Sequence, residues 1–147
     1  FPNETKEDGP KLEVTARQFE WRMRYPAPGQ VLSNQPQAGD LYAVNEMHVQ
    51  TGRPVKFNLR TGDVQHAFFA PQLRVKQDAV AGLIIPVWLE VPKAGKYDLV
   101  CAELCGWGHY KMRATIVAEP KEKVEEYLRN LEQEQNFDGV APAAAEE

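Results

Sequence analysis

The residues of this sequence that could do chemistry are concentrated in one short segment. Two thiols, an imidazole and a thioether lie within twelve residues, at Cys101, Cys105, His109 and Met112. Thiolate, thioether and imidazole together are the ligands that select copper, above all in its cuprous form. A further histidine, His66, begins an earlier predicted strand and could meet the segment at the same end of a β-sandwich. The spacing C-x3-C-x3-H-x2-M therefore favours a copper site.

Other interpretations of these residues stay open at this point. Two cysteines four positions apart could form an ordinary disulfide bond in an oxidising compartment. Two cysteines and two histidines could also hold structural zinc, but zinc leaves Met112 without a role. A lone methionine at the start of a strand most often fills the core. An isolated histidine such as His48 is most often a surface residue or a residue with satisfied hydrogen bonds.

The number of thiolates indicates which kind of copper site would form. A mononuclear blue site uses one thiolate, two histidines and a weak axial methionine, so this sequence has one thiolate too many. Two thiolates can instead each bridge two copper ions, with His66 on one ion and His109 on the other. Met112 and a backbone carbonyl of the Cys-x3-Cys turn would be weak axial ligands. Such a core has no open position for a substrate, which indicates electron transfer.

Short runs of β-branched and aromatic residues, separated by Gly, Pro, Asn and Asp, predict the elements that position these ligands. Their spacing of about eight to twelve residues is typical of an all-β sandwich or barrel. The apolar alternation changes phase inside the first run, which we interpret as a β-bulge near Arg17–Gln18. Residues 25–42 predict a long surface loop. The predicted strands are Lys11–Tyr25, Glu46–Thr51, Val55–Thr61, Ala67–Ala70, Leu83–Val91, Lys96–Val100 and Met112–Ala118.

The chain divides into one main domain and a C-terminal part of different character. We expect residues 1–10 to be a disordered or engineered N-terminus and residues 11–118 to form the β-domain. Apolar residues at helical spacing predict an amphipathic helix within residues 119–138, and residues 139–147 predict a disordered tail or linker. No apolar run approaches the roughly twenty residues that cross a bilayer. The chain is therefore expected to be a soluble, processed piece.

The net charge of −4 is concentrated in the C-terminal part. Residues 119–147 carry nine acidic and three basic side chains, whereas twelve acidic and fourteen basic side chains leave the first 118 residues at +2. No basic stripe interleaved with aromatic residues is present, which argues against nucleic acid as a partner.

Several motifs outside the Cys101–Met112 segment follow in a fixed order, namely Gln18-Phe-Glu-Trp21, Asp63-Val-Gln-His66, Pro71, Lys76-Gln-Asp-Ala79 and Gly95-Lys-Tyr97. With that segment they make the sequence resemble the copper A (CuA) domain of subunit II of the cytochrome c oxidases, in the haem-copper oxidase superfamily. The resemblance covers roughly residues 11–118. It implies a cupredoxin-type Greek-key β-barrel, here with a short C-terminal helix.

The resemblance also implies a set of metal ligands. These are Cys101 and Cys105 as bridges, His66 and Met112 on one copper ion, and His109 and the carbonyl of Glu103 on the other. In this family the carboxylate at the position of Glu103 also faces a magnesium site shared with subunit I. Two copper ions are thus the expected cofactor, with magnesium as a further expected metal in the intact complex.

The implied activity is that of one subunit of an oxidoreductase. Such a domain takes electrons one at a time from cytochrome c or another small soluble donor and passes them to a haem in subunit I. Oxygen is reduced to water there and protons are pumped. The family usually has two membrane helices before this domain, which this sequence lacks. The expected location is the periplasmic face of a bacterial cytoplasmic membrane, with attachment through those helices.

Aromatic residues near the copper are the expected points of electron uptake. The resemblance assigns this role to Phe19, Trp21 and Trp107. Because the main domain is nearly neutral, we expect the donor to dock on an apolar patch around Phe19 and Trp107. An acidic docking face would instead have to be built from Glu20, Asp63, Asp78 and Glu103.

Three alternative functions stay open. The CuA domain of nitrous oxide reductase shares the ligand spacing, although the Cys-Ala-Glu-Leu-Cys-Gly and Lys-Gln-Asp-Ala runs favour the oxidase. A thioredoxin-like copper-delivery protein uses C-x3-C with a distant histidine, but needs an alternation of strands and helices that is absent from the pattern. A disulfide-bridged binding module without metal is the third.

Overall fold

Two five-stranded β-sheets pack face to face in the computed structural model, which describes residues 9–102 and 112–137. A single turn of 3-10 helix spans Pro71–Leu73. In chain order the elements are β1 (Leu12–Arg17), β2 (Glu20–Tyr25), β3 (Leu41–Val44), β4 (Glu46–Gln50), β5 (Val55–Thr61), β6 (His66–Ala70), β7 (Val75–Ala79), β8 (Ile85–Leu89), β9 (Gly95–Cys101), β10 (Arg113–Glu119) and α1 (Lys121–Phe137).

The strand order is that of a Greek-key barrel. The first sheet runs β3-β2-β1-β5-β8 and the second runs β4-β10-β9-β6-β7. Strands β1 and β5 pair in parallel, as do β4 and β10, while the other pairs are antiparallel. Parallel neighbours require crossovers between the sheets. The architecture confirms the predicted all-β, cupredoxin-type fold with a short C-terminal helix.

The predicted long first strand is wrong, because residues 12–25 form a hairpin. Strands β1 and β2 pair antiparallel around a two-residue turn at Gln18 and Phe19, with Ala16 opposite Trp21. Residues opposite each other across a hairpin share one face of the sheet. With a two-residue turn, the apolar residues that face the core have even numbers before the turn and odd numbers after it. This switch is the phase change that the sequence analysis interprets as a bulge.

Two strands were missed from the sequence, β3 and β7. Both lie at sheet edges, are only four or five residues long and show no regular alternation of apolar and polar residues, with the sequences LYAV and VKQDA. The other predicted strands are confirmed, with ends that shift by no more than two residues. The long loop is also confirmed, since residues 26–40 contain no strand or helix.

The chain passes from one sheet to the other through a single residue, Asn45, between β3 and β4. Its φ of 60° lies in the left-handed region, which asparagine tolerates better than most residues. The Asn45 N–H donates to the Trp21 carbonyl at 2.8 Å, and its side-chain oxygen accepts the Trp21 N–H at 2.8 Å. This crossing therefore fixes Trp21 in the core between the sheets, where it meets Phe68 edge-on.

A buried ionic cluster fastens the loop of residues 26–40 to the first sheet. Arg24 donates to Glu13 at 2.9 Å, to Asp40 at 2.8 Å and to the carbonyl of Ser33 at 2.8 Å. Burial alone would lower the pKa of Arg24, but the hydrogen bonds and charges of Glu13 and Asp40 outweigh it, so the pKa is raised. The guanidinium therefore stays charged, and the loop carbonyl that it holds is satisfied.

Helix α1 packs on the second sheet and on the edge of the first. Leu128 and Leu131 contact the core, and Gln135 bonds the backbone of Tyr42 at 2.8 Å and of Asp40 at 3.2 Å. No helix within the described ranges is long and apolar enough to cross a membrane. Most of the predicted disordered N-terminus, residues 1–8, and the predicted tail, residues 139–147, lie outside the described residues.

Replacing Arg24 should strongly destabilise the domain. In Arg24→Met, two buried carboxylates lose their cation, which typically costs about 3–5 kcal/mol. Arg22→Met on the same strand is the matched control, since its partner Glu20 is partly exposed and such pairs contribute about 1 kcal/mol or less. Urea unfolding of both variants measures the difference. Equal losses in the two variants would contradict this role for Arg24.

Candidate metal centre

The described members of the predicted ligand set meet at one end of the barrel, hereafter the metal pole. His66 is the first residue of β6, Cys101 is the last residue of β9, and Met112 immediately precedes β10. Strands β6 and β9 are antiparallel neighbours, with Phe68 opposite Cys101. The Ala102 N–H donates to the Ala67 carbonyl at 3.2 Å and extends this pairing by one residue. The sheet register thus brings the three side chains to one place.

The imidazole and the thiol are close enough to bind one metal ion. The Nδ1 atom of His66 lies 3.9 Å from the Sγ atom of Cys101. With the bond lengths typical of zinc, about 2.0 Å to nitrogen and 2.3 Å to sulfur, a shared metal separates the two atoms by about 3.5 Å in a tetrahedral arrangement and by more at a wider angle. His66 and Met112 are fully buried and Cys101 nearly so. The donor set therefore fits a soft metal ion shielded from water.

Asp63 decides which nitrogen of His66 faces Cys101. Its Oδ1 atom lies 2.8 Å from Nε2 of His66, which leaves Nδ1 directed at the sulfur. Metal-binding histidines almost always donate their second N–H to a carboxylate or carbonyl, which fixes the tautomer and the ring orientation. The sequence indicated Asp63 as part of a motif and as a possible member of an acidic docking face, but not as a partner of His66, although the spacing Asp-x-x-His was the available signal.

Asp63 also connects the loop before β6 to the turn of the β1–β2 hairpin. Its carboxylate accepts the backbone N–H groups of Gln18 at 2.7 Å and of Val64 at 2.6 Å. Burial would raise the pKa of Asp63, but these two bonds and the one from His66 outweigh it, so the pKa lies below its ordinary value. The group is therefore an ionised acceptor for three donors.

Two buried aromatic side chains, Trp21 and Phe68, pack in the core next to the metal pole. The indole N–H of Trp21 donates to the carbonyl of Met112 at 3.1 Å, and the indole meets the ring of Phe68 edge-on at 5.8 Å. Trp21 has no exposed surface, whereas Phe19 in the hairpin turn is 37% exposed. Of the predicted residues for electron uptake, Phe19 can therefore contact a partner directly and Trp21 cannot.

The remaining predicted site residues lie outside the described part of the chain. These are Glu103, Cys105, Trp107 and His109. Among residues 9–102 and 112–137, no group of three or more His, Cys, Asp and Glu side chains is arranged to hold a metal ion.

The fold is that of a cupredoxin-type domain, with a cluster of candidate metal ligands at one end of the barrel. The chain belongs to the family described as cytochrome c oxidase subunit II, periplasmic domain, which matches residues 15–119. This assignment confirms the resemblance seen in the sequence. Thioredoxin-like copper-delivery proteins are excluded, since their fold alternates strands and helices.

Relatives in sequence and in structure agree with this assignment. The alternative cytochrome c oxidase subunit 2 of Bradyrhizobium diazoefficiens is 31% identical over 91% of this chain and 54% of its own length. Cytochrome c oxidase subunit 2 of Thermostichus vulcanus is 35% identical over 80% of this chain and 32% of its own. The chain thus spans about half or less of these relatives.

A solved structure shows the same fold. The periplasmic domain of subunit II of cytochrome oxidase from Bradyrhizobium japonicum superimposes with a TM-score of 0.72 at 23% identity, over 84% of this chain and 93% of that one.

Replacing Asp63 should weaken metal binding without unfolding the domain. In Asp63→Asn the amide can turn its NH2 group towards His66, so the imidazole loses its fixed orientation. Loss of such a supporting contact typically lowers metal affinity by about 10–100-fold. Asp78→Asn is the control, because Asp78 lies on β7 near the same pole and its carboxylate accepts a long hydrogen bond from Gln65, at 3.5 Å, instead of a bond from His66. Competition titration with a copper chelator measures both; equal affinities would contradict the role of Asp63.

Proposed function

We propose that this chain is the dinuclear copper (CuA) electron-transfer domain of subunit II of a terminal cytochrome c oxidase. It would accept electrons one at a time from cytochrome c or another small soluble donor and deliver them to a haem in subunit I. The observation that carries the proposal is the 3.9 Å approach of His66 Nδ1 to Cys101 Sγ. The family assignment supports the oxidase over nitrous oxide reductase.

The proposed ligands are those that the sequence implied. Cys101 and Cys105 would bridge two copper ions, and the terminal ligands would be His66 and Met112 on one ion and His109 and the carbonyl of Glu103 on the other. The carboxylate of Glu103 would face magnesium in the intact complex. Thiolate and thioether donors support copper rather than zinc. In relation to the membrane, the domain would lie on its periplasmic side.

The protein's part in electron transfer is to keep the site dry and rigid. Copper, when bound, supplies a one-electron couple. His66 cannot rotate, because Asp63 holds its outer nitrogen and β7 pairs with it on the other side, at Ala79. Met112 cannot move independently of the core, because its carbonyl is bonded to Trp21. Fixed ligands and excluded water both reduce the rearrangement that accompanies each change of charge.

We propose an internal role for Trp21 in electron uptake. Phe19 is exposed in the hairpin turn, and Trp21 follows two residues later with its N–H on the Met112 carbonyl. An electron that arrives at the surface near Phe19 and Trp107 would thus have a short route through Trp21 to a ligand.

The proposed docking surface is the group of exposed apolar side chains at the metal pole. The loop of residues 62–65 leads into β6, and the loop of residues 80–84 leaves β7 beside the start of β6. With the hairpin turn, these loops expose the side chains of Phe19, Val64, Leu83 and Ile84. Exposed apolar groups gathered on one surface mark a site for a partner protein.

The acidic residues near this surface are largely engaged with other groups. Glu20 pairs with Arg22 at 3.1 Å, and Asp63 accepts three hydrogen bonds. Asp78 accepts a weak hydrogen bond from Gln65 at 3.5 Å. These contacts support docking by apolar contact rather than by a strong acidic face.

Copper loading tests the proposal. The parent chain should bind two copper ions per molecule, and electron paramagnetic resonance should show one unpaired electron shared by two copper nuclei. Cys101→Ser removes a bridge and should leave one copper ion or none. Met112→Leu removes only a weak axial ligand and should keep two ions with an altered reduction potential. A single copper nucleus in the parent spectrum would overturn the proposal.

Docking should depend little on salt. Charges further apart than about 10 Å are screened at 0.1 M salt, whereas apolar contact is not. The rate of electron transfer from a reduced c-type cytochrome should therefore change little across an ionic-strength series. Phe19→Ala and Trp107→Ala should each lower it by about fivefold or more, as for a central interface residue.

Val31→Ala is the control for docking, since Val31 is exposed in the loop of residues 26–40. It should leave the rate unchanged. A steep fall with salt, together with unchanged rates in both aromatic variants, would restore an acidic docking face.

A further inference from the structure

A second cluster of titratable groups surrounds His48, far from the metal pole. His48 lies on β4 opposite Val117 of β10, five residues beyond Met112, or roughly 16 Å along the strand. Its side chain is buried, and its ring stacks on Tyr127 of α1 with centroids 3.4 Å apart and planes 6° apart. His48 is thus the point at which α1 is attached to the second sheet.

Both nitrogens of His48 meet carboxylates. Nδ1 lies 2.8 Å from Glu119 at the end of β10, and Nε2 lies 2.6 Å from Glu46 at the start of β4. An ionised carboxylate only accepts hydrogen bonds, and a neutral imidazole has only one N–H to donate. With both carboxylates ionised, the two contacts are therefore satisfied together only by the doubly protonated imidazolium. A cation stacked on Tyr127 gains a further attraction from the ring.

We propose that His48 is a proton-dependent latch that holds the N-terminal half of α1 against the barrel. As the imidazolium it joins Glu46 to Glu119 and presents a charged face to Tyr127. When it loses a proton, one carboxylate contact loses its hydrogen and the ring loses its charge. The amphipathic helix then keeps only its apolar contacts in this half. Helix α1 directly follows the residues 15–119 that match the family, so the latch acts on the element that leaves the β-barrel.

The two phenols that contact His48 do not change charge in this pH range. Burial raises the pKa of Tyr127 to about 12 and also raises that of Tyr25, whose hydroxyl oxygen accepts the His48 backbone N–H at 2.8 Å. Both phenols therefore stay neutral. The charged side chains that face the latch from the elements around it are Glu46 on β4, Glu119 on β10, Glu134 near Tyr127 on α1, and Lys11, Arg53, Lys121 and Glu125 around the adjoining cavity.

Protons can reach His48 through this cavity. It has a volume of about 490 Å³, lies between α1, the end of β4 and the start of the long loop, and is lined in part by His48 itself. The C-terminal half of α1 has a separate attachment, since Gln135 bonds the backbone at Asp40 and Tyr42. Release of the latch therefore loosens residues 121–130 and leaves the end of the helix in place.

The direction in which pH changes the attachment of α1 follows from the protonation state of His48 that the fold stabilises, the imidazolium. In an unfolded chain histidine titrates near pH 6.5. A fold that stabilises the imidazolium gains its full stabilisation below that pH and loses it as the pH rises.

Hydrogen exchange of the whole chain tests the latch. Protection factors, corrected for the intrinsic pH dependence of exchange, should fall by about tenfold in residues 121–130 when the pH rises from about 5.5 to 8.5, since the attraction of the charged imidazole for the Tyr127 ring is lost. Amides of β5 should not change. His48→Gln should show low protection at both pH values, and Glu125→Gln, the matched helix control, should behave as the parent.

Nitrogen NMR of the His48 ring in the unmodified chain provides a second measurement that needs no variant. Both ring nitrogens should carry protons at the lower pH, with one lost over the range in which the helix loosens. Constant protection of residues 121–130 in the parent would overturn the proposal. A ring with only one protonated nitrogen at about pH 5.5, or an unchanged pH response in His48→Gln, would overturn it equally.

Discussion

The hydrogen bond between Asp63 and His66 is the constraint on which the metal pole depends. An imidazole offers one nitrogen to a metal only if the other is occupied and the ring cannot turn. Asp63 meets both conditions, since it bonds Nε2 and is itself held by two backbone N–H groups. One of these belongs to Gln18, so the ring orientation is tied to the hairpin turn that exposes Phe19. The hydrogen bonds of Asp63 therefore link the buried His66 to the exposed turn at Phe19 in one unit.

This unit can form only because the second sheet has the correct register. His66 is far from Cys101 and Met112 in the chain, but the three residues lie at the ends of the adjacent strands β6, β9 and β10. A slip of one residue would turn every side chain of a strand to the opposite face. The buried pairs around Phe68 and Trp21 resist such a slip. The core of the barrel thus sets the positions of the ligands as well as the stability of the domain.

The parts of this structure that could be predicted are those that follow from local chemistry. Ligand type and spacing predicted that His66 and Cys101 lie together, and apolar periodicity predicted the central strands and α1. The hairpin was misread, because alternation alone does not distinguish an extra residue in a strand from a tight turn between two strands. The edge strands β3 and β7 were missed because four or five residues without regular alternation leave little periodic signal.

The ionic clusters were missed for a different reason. Glu13 and Arg24 are direct partners across the hairpin, so their pairing becomes visible only when the turn is placed at Gln18 and Phe19. The role of His48 required knowledge that Glu119, seventy-one positions away, lies on the neighbouring strand. Contacts of this kind depend on topology, which a single sequence with no repeat does not reveal.

The clusters around Arg24 and His48 differ in whether their cation can lose its proton, and each cation holds a different element in place. Arg24 holds the long loop of residues 26–40 over the first sheet, and a guanidinium does not lose its proton at any physiological pH. His48 holds α1, and an imidazole can lose its proton within that range. The loop lies within the residues that match the family, and it supplies two of the acceptors that surround the buried Arg24, Asp40 and the Ser33 carbonyl. The N-terminal half of the helix meets the cluster around His48 through the stack of Tyr127 on the imidazole, so partial release of the helix exposes apolar surface but leaves the barrel and its metal pole intact. A permanent cation thus fastens the element that the fold requires, and a titratable one fastens the element that the fold can release.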